Sequence, residues 1–223
     1  MTEVRALILD ALGTLVELQP PAPRLRRLLR ESGFEVTEER AASGFAAEIA
    51  YYLDHHLDGA DAERLERLRD RCAEEMRSAL DIAGLDFATA RRAMLGSLEF
   101  TAYPDVVPAL GELRERGLRL VVASNWDCSL PEWLAPTGIL ELVDGVVTSA
   151  EVGAAKPSPR VFERALSVAG VDAAEALHVG DTVGNDLEGA TAAGVRAVLL
   201  QREGDPPPGV EAIASLRELG GLL

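Results

Sequence analysis

Lysine is nearly missing from this chain. Lysine and arginine together number 22, and Lys156 is the only lysine, which leaves 22 − 1 = 21 arginines. A chain that has settled on arginine for almost every cation keeps a lysine where a compact point charge is needed and a planar fork will not serve. Positive charge is scarce altogether. Against those 22 basic residues stand 37 acidic ones, for a net charge of −15. That balance argues against nucleic acid or an anionic membrane as a partner. It also opposes any anionic substrate at long range, so a phosphate site must rest on local donors or a bound cation.

Cysteine is equally sparse. Cys72 and Cys128 lie far apart, and two free thiols in a reducing compartment are expected rather than a disulfide. Cys72 falls on an apolar helical stripe and reads as core. No stretch approaches the roughly 18 uninterrupted apolar residues that a membrane span needs, and the N-terminal residues carry no cleavage pattern. A cytoplasmic location is the expectation. Internal repeats and low-complexity tracts are missing too. What remains is ordinary for a globular chain: 48% hydrophobic and 26% charged over 223 residues, enough for one large domain or two modest ones.

Residues 4–16 organise the rest. Leu7, Ile8 and Leu9 form an apolar run too short for a helix, which reads as a strand buried on both faces of a parallel sheet. The run ends in Asp10, and Gly13-Thr14 follow. In open α/β sheets ligands bind beyond the carboxyl ends of strands, so Asp10 stands where chemistry is expected. An aspartate that merely caps the turn is the plain alternative.

Gln19–Pro23 breaks the pattern and suggests a linker. From about residue 22 to 100 the spacing is helical. Leu25, Leu28 and Leu29 mark one helix; Phe45, Ile49, Tyr52 and Leu53 a second. Leu65, Leu68, Cys72, Met76 and Ala79 mark a third, and Met94 and Leu98 a fourth, entered through Asp86. His55 and His56 read as surface or helix-end residues, since adjacent side chains point apart. Beyond Pro104 strands and helices alternate. Strands are expected at Leu118–Ala123, Asp144–Thr148, Ala176–Val179 and Val195–Leu200. Helices are expected to about Arg116, from a Ser129 cap, after Lys156-Pro157, over Asn185–Ala193 and near Leu216. The alternation implies a doubly wound parallel α/β sheet with right-handed crossovers. The helical block is then an insertion after the first strand, a four-helix cap over residues 17–100. Residues 1–16 and 101–223 make the core.

Polar residues follow several of these strands: Asp10 and Thr14, Ser124 and Asn125, then Asp181, Asn185 and Asp186. Lys156 opens a helix in the same half. A parallel sheet gathers them at one edge, where they suit attack on a phosphoryl group. A carboxylate can serve as nucleophile, giving an aspartyl-phosphate. Asp10 and Asp181 can jointly hold Mg²⁺, which takes oxygen ligands. Ser124, Asn125 and the Lys156 ammonium can hold equatorial oxygens as charge redistributes.

Asp10-Ala-Leu-Gly-Thr14-Leu, Ser124-Asn125, Lys156-Pro157 and Gly180-Asp181-Thr-Val-Gly-Asn-Asp186 resemble, in order, the four motifs of the haloacid dehalogenase-like hydrolase superfamily. Ser-Asn-Trp-Asp and Lys-Pro-Ser-Pro-Arg look most similar to its type-3 domain-containing proteins. The resemblance implies that Asp10 is nucleophile and metal ligand, with the Leu12 carbonyl and Asp181 as further ligands. It implies that Thr14, Ser124 and Asn125 contact the transferred group. Lys156 would neutralise Asp10 and the phosphate, and Asp186 would position Lys156 or a metal-bound water. A small phosphorylated metabolite is the implied substrate.

One position departs from the phosphatase pattern. Those enzymes usually carry a second aspartate two residues past the nucleophile, which protonates the leaving oxygen; here that residue is Leu12. General acid–base assistance is typically worth ~10²–10⁴-fold, so a slow enzyme, or one restricted to good leaving groups, is expected. Asp127 is a candidate substitute, though capping the following turn is its simpler role. Two other readings stay open: a metal-independent 2-haloacid dehalogenase, for which Leu12 and a cap arginine such as Arg40 would fit, and a non-catalytic binding protein. Retention of Asp181 favours phosphoryl chemistry over dehalogenation. A phosphonoacetaldehyde hydrolase would need a cap lysine, and residues 17–100 contain none.

Overall fold

The computed structural model describes residues 3–223. Its chain divides into two compact units, one ending at Glu17 and resuming at Thr101, the other running from Leu18 to Phe100.

The first unit is a six-stranded sheet. β1 (Ala6–Leu9) pairs in parallel with both β4 (Arg119–Ser124) and β6 (Ala176–Gly180). β5 (Gly145–Thr148) extends the sheet beyond β4, while β7 (Arg196–Leu200) and the two-residue β8 (Ala212–Ile213) extend it beyond β6, all in parallel. The spatial order is β5-β4-β1-β6-β7-β8. The winding therefore reverses at β1, and the crevice at such a reversal is where doubly wound sheets bind ligands. β1 is buried along its whole length, as expected of a run apolar on both faces.

Helices supply the covering layers. α8 (Pro159–Ala169) packs Val161, Phe162 and Ala165 against Ile8, Val121 and Val147 of the sheet. α5 (Val106–Glu115) buries Val106, Leu110 and Leu113. The expected helix over Asn185–Ala193 is a π-helical turn, Val183–Glu188, running into a short α-helix, Gly189–Ala192. The terminal helix near Leu216 is a 3₁₀ turn, Leu216–Gly221. Ser129 stands at the start of Leu130–Leu134 but does not cap it: its hydroxyl donates to Asp127 and accepts from Trp133 Nε1.

The second unit holds four α-helices among the described residues: α1 (Pro21–Glu31), α2 (Glu38–His55), α3 (Ala62–Leu80) and α4 (Phe87–Ser97). α2, α3 and α4 begin at Thr37, Asp61 and Asp86, whose side chains accept from the backbone N–H three residues on. Leu25, Leu29, Phe45, Leu68, Cys72, Met76, Leu80 and Met94 form the core of this unit. Two expectations need correction. Leu80, not Ala79, closes the α3 stripe. Leu53 is 61% exposed and lies off the α2 stripe. Of the two placements expected for His56, surface or helix end, the second holds: it caps the C-terminus of α2 and is buried there, with Nδ1 against the Leu53 carbonyl.

The linker expected at Gln19–Pro23 is already helical from Pro21. Where the chain leaves and re-enters the sheet unit, two three-residue strands pair as a ribbon, β2 (Val16–Leu18) and β3 (Phe100–Ala102). Among the described residues no helix is long and apolar enough to cross a membrane.

Candidate active site

Asp10 leaves β1 with its N–H donated to the Val179 carbonyl, so the carboxylate emerges between β1 and β6. The next turn is tight. The Ala11 carbonyl accepts from the N–H groups of Leu15 and Val16, and Gly13 takes φ +82°. A side chain is excluded at Gly13 for a second reason: a Cβ there would lie 2.1 Å from Asp181 Oδ2. The first and fourth motifs are therefore in direct contact, backbone against carboxylate.

Ser124 ends β4, and its hydroxyl donates to Asp10 Oδ1 at 3.0 Å. Lys156 Nζ reaches the same oxygen at 2.5 Å and Asp186 Oδ1 at 2.6 Å, with all three side chains buried. The lone lysine thus bridges two carboxylates. Asn125 lies beside it with a role the sequence did not suggest. Its amide oxygen accepts from the Lys156 N–H at 2.7 Å, and its amide nitrogen donates to the Lys156 carbonyl at 3.1 Å. Asn125 braces the lysine's main chain with one amide N–H and one oxygen lone pair, which leaves its second N–H for the expected contact with a transferred group.

Asp186 is fully occupied. Its Oδ1 takes Lys156 and, at 3.1 Å, His178 Nε2; its Oδ2 takes the Thr182 N–H at 3.0 Å and the Thr182 hydroxyl at 2.6 Å. Of the alternatives for this residue, positioning Lys156 is the one its hydrogen bonds describe. Thr14 differs from all of these: its hydroxyl is buried with no hydrogen-bond partner among the described residues. Leu12 turns outward, with its side chain 45% exposed. Asp127 Oδ1 closes a turn on the N–H and hydroxyl of Ser129, at 2.8 and 2.6 Å, which is the simpler of its two expected roles.

His178, Thr182 and Arg202 were not picked out from the sequence. His178 carried a signal, a polar residue inside the apolar strand Ala-Leu-His-Val-Gly, where burial demands a partner. Arg202 follows β7, donates Nη2 to the Thr14 carbonyl at 2.7 Å and Nη1 to Asp105 Oδ1 at 2.9 Å, and lies 3.9 Å over the Tyr103 ring. It pins the turn from behind.

Burial pushes the Asp10 carboxyl up, and the Lys156 ammonium reverses only part of the rise. Asp181 is pushed up to about 6, by burial and then by repulsion from Asp10 and Asp186. Burial alone would raise Asp186 too. The hydrogen bond from His178 and the charge of Lys156 outweigh it and hold that carboxyl well below the usual range. Burial lowers Lys156, and Asp10 and Asp186 more than offset it.

One oxygen each of Asp10, Asp181 and Asp186 lies within 4.8 Å of the others. Three carboxylates against one ammonium leave 3 − 1 = 2 negative charges uncompensated in a largely buried cluster. Such a deficit, with hard oxygen donors alone, fits a divalent cation of the magnesium type. Because Asp186 is saturated by its four donors, Asp10 and Asp181 are the carboxylates with capacity for it.

The family profile of haloacid dehalogenase-like hydrolases matches residues 4–194. The chain belongs to this hydrolase family. A phosphoserine phosphatase from Thermus thermophilus is 41% identical over 205 residues, covering 87% of this chain and 78% of its own length. Phosphatase MT3486 from Mycobacterium tuberculosis is 36% identical over 145 residues, 62% of this chain and 65% of its own. Haloacid dehalogenase-like hydrolase domain-containing protein 3 from Mus musculus is 45% identical over 87 residues, 39% of this chain and 35% of its own. The chain thus covers less than two thirds of the length of several curated relatives. Among solved structures, a phosphatase of the family from Thermococcus onnurineus superposes with a TM-score of 0.67 at 26% identity, covering 98% of this chain and 97% of its own. An L-2-haloacid dehalogenase superposes with 0.69 at 28% identity, covering 99% of each. Family and fold agree with the reading from the four motifs.

Proposed function

We propose that the chain is a Mg²⁺-dependent phosphatase that transfers a phosphoryl group from a small metabolite to Asp10 and then to water. The observation that carries this reading is the pairing of Lys156 with Asp10 beside an under-neutralised Asp181. Asp10 Oδ1 is held by Ser124 and Lys156, which leaves the second carboxylate oxygen to attack phosphorus. The phosphorus–oxygen bond to the leaving group breaks as the aspartyl-phosphate forms, and water then releases phosphate and restores the carboxylate. Asp10, Asp181 and the Leu12 carbonyl would hold the cation, which when bound neutralises charge on the phosphoryl oxygens. On this reading the Thr14 hydroxyl, which has no hydrogen-bond partner among the described residues, would donate to the transferred group, and Lys156 would balance its charge.

The departing oxygen has no proton donor at Leu12, so esters with acidic leaving groups should turn over fastest. The names of its relatives put phosphoserine among the first metabolites to try. The dehalogenase alternative loses one support, because Arg40 donates Nε to the Leu80 carbonyl at 2.5 Å and Nη2 to the Asp81 carbonyl, closing the end of α3.

The test is a panel of p-nitrophenyl phosphate, phosphoserine, other metabolite phosphates and 2-chloropropionate, each with and without Mg²⁺. Phosphate release that needs Mg²⁺ and vanishes in Asp10→Asn is expected. Halide release without metal would establish the dehalogenase instead, and silence throughout would leave a binding protein.

A further inference from the structure

We infer that His178 is a positioning residue that fixes Lys156 through Asp186. His178 lies in the middle of β6, fully buried. Its Nε2 is 3.1 Å from Asp186 Oδ1, the oxygen that also takes Lys156 Nζ. Its Nδ1 is buried with no partner among the described residues. A proton on Nδ1 would face no acceptor, so the tautomer that suits the site carries it on Nε2 and donates it to Asp186. The ring is held in that orientation by Phe162, edge-on at 5.0 Å. Phe162 stands on α8, which begins three residues after Lys156. One packing contact therefore links the histidine to the helix that follows the lysine.

The arrangement has a purpose that Lys156 alone could not serve. An ammonium between two carboxylates has no preferred place unless one of them is immobile. Asp186 is made immobile by four donors, two on each oxygen, of which His178 supplies one and Thr182 two. Remove the histidine donor, and a buried carboxylate oxygen is left with the lysine alone. The ammonium is then drawn toward Asp186 and away from Asp10.

Lys156 being the only lysine, protein grown on ¹⁵N,¹³C-lysine gives a single side-chain ¹⁵Nζ resonance that needs no assignment by mutation. His178→Leu should shift that resonance, and His178→Gln, which places an amide N–H near the position of Nε2, should return it most of the way. The kinetic arm rests on the phosphatase reading. With p-nitrophenyl phosphate, His178→Leu should lower kcat about tenfold with KM little changed, the loss of one hydrogen bond to a charged group, and His178→Gln should recover most of it. If the leucine variant does not fold, His178→Asn, whose amide falls short of Asp186, takes its place. An unmoved resonance in the donor-less variant, or one that the glutamine variant does not restore, overturns the assignment. If the wild type hydrolyses nothing, the phosphatase reading fails while the resonance test still stands.

Discussion

On the proposed phosphatase reading, Leu12 decides which leaving groups the enzyme can expel. It stands two residues past Asp10 on the exposed side of the turn, and its side chain can neither give nor take a proton. Substituting Leu12→Asp should raise kcat on alkyl phosphates by about 10²–10⁴-fold while changing p-nitrophenyl phosphate hydrolysis far less, since only a poor leaving group needs the proton. Equal gains on both substrates would show that leaving-group protonation is not what the turn lacks. Lys156 makes the complementary case. Its compact ammonium fits between Asp10 and Asp186 with bonds of 2.5 and 2.6 Å, among buried groups. A guanidinium is planar and larger, so Lys156→Arg should fold poorly or lose at least about 10²-fold in kcat despite conserving charge. Full activity in that variant would mean that charge alone, and not its placement, is required.

At the scale of elements, glycines and one buried acid set the limits. A Cβ at Gly180 would lie 2.2 Å from Asp186 Cγ, so Gly180→Ala must displace the carboxylate that holds Lys156. A stability loss of about 1–3 kcal/mol by urea unfolding, with a larger loss of activity, is expected. Glu48 on α2 is buried beside the core of the helical unit, and burial pushes its carboxyl up to about 7 from the ordinary 4.5, opposed only in part by a hydrogen bond with Cys72. The folded protein therefore keeps a proton that the unfolded chain has released. The Glu48 contribution to stability falls as pH rises from about 4.5 to 7 and levels off above, by about 3 kcal/mol, on top of a slope of the same sign from Asp181. Glu48→Gln should reduce the slope by that share, leave the part due to Asp181, and stabilise the protein at pH 8, read from urea midpoints at pH 5 and 8.

These same elements show what a sequence discloses. α1 to α4 were legible because eleven or more residues repeat an apolar period, and five of the six sheet strands because they form apolar runs, while the two-residue β8 is too short to show one. The ribbon of β2 and β3 was not, since three residues carry no period. Asp186 was expected to position Lys156 or a metal-bound water, and its hydrogen bonds describe the first; that Asn125 also braces the Lys156 main chain is visible only in coordinates. His178 was passed over because a strand was read there by its apolar majority.

The molecule as a whole carries fifteen more negative charges than positive, yet its proposed substrate is an anion. On that reading the site would answer locally, with one ammonium and carboxylates that suit a divalent cation, while the long-range field still repels. Raising salt from about 0.01 M to about 0.15 M shortens the Debye length from about 30 Å to about 8 Å. Repulsion from distant carboxylates is then screened, while the buried contact between Lys156 and Asp10 is barely touched. At saturating Mg²⁺, kcat/KM for p-nitrophenyl phosphate should therefore rise by about two- to tenfold over that range. A neutralising change near the site would steepen nothing, because the effect belongs to the summed surface. A value that falls with salt would mean that the substrate meets a locally positive approach, and that the few cations at the sheet edge outweigh the charge of the entire chain.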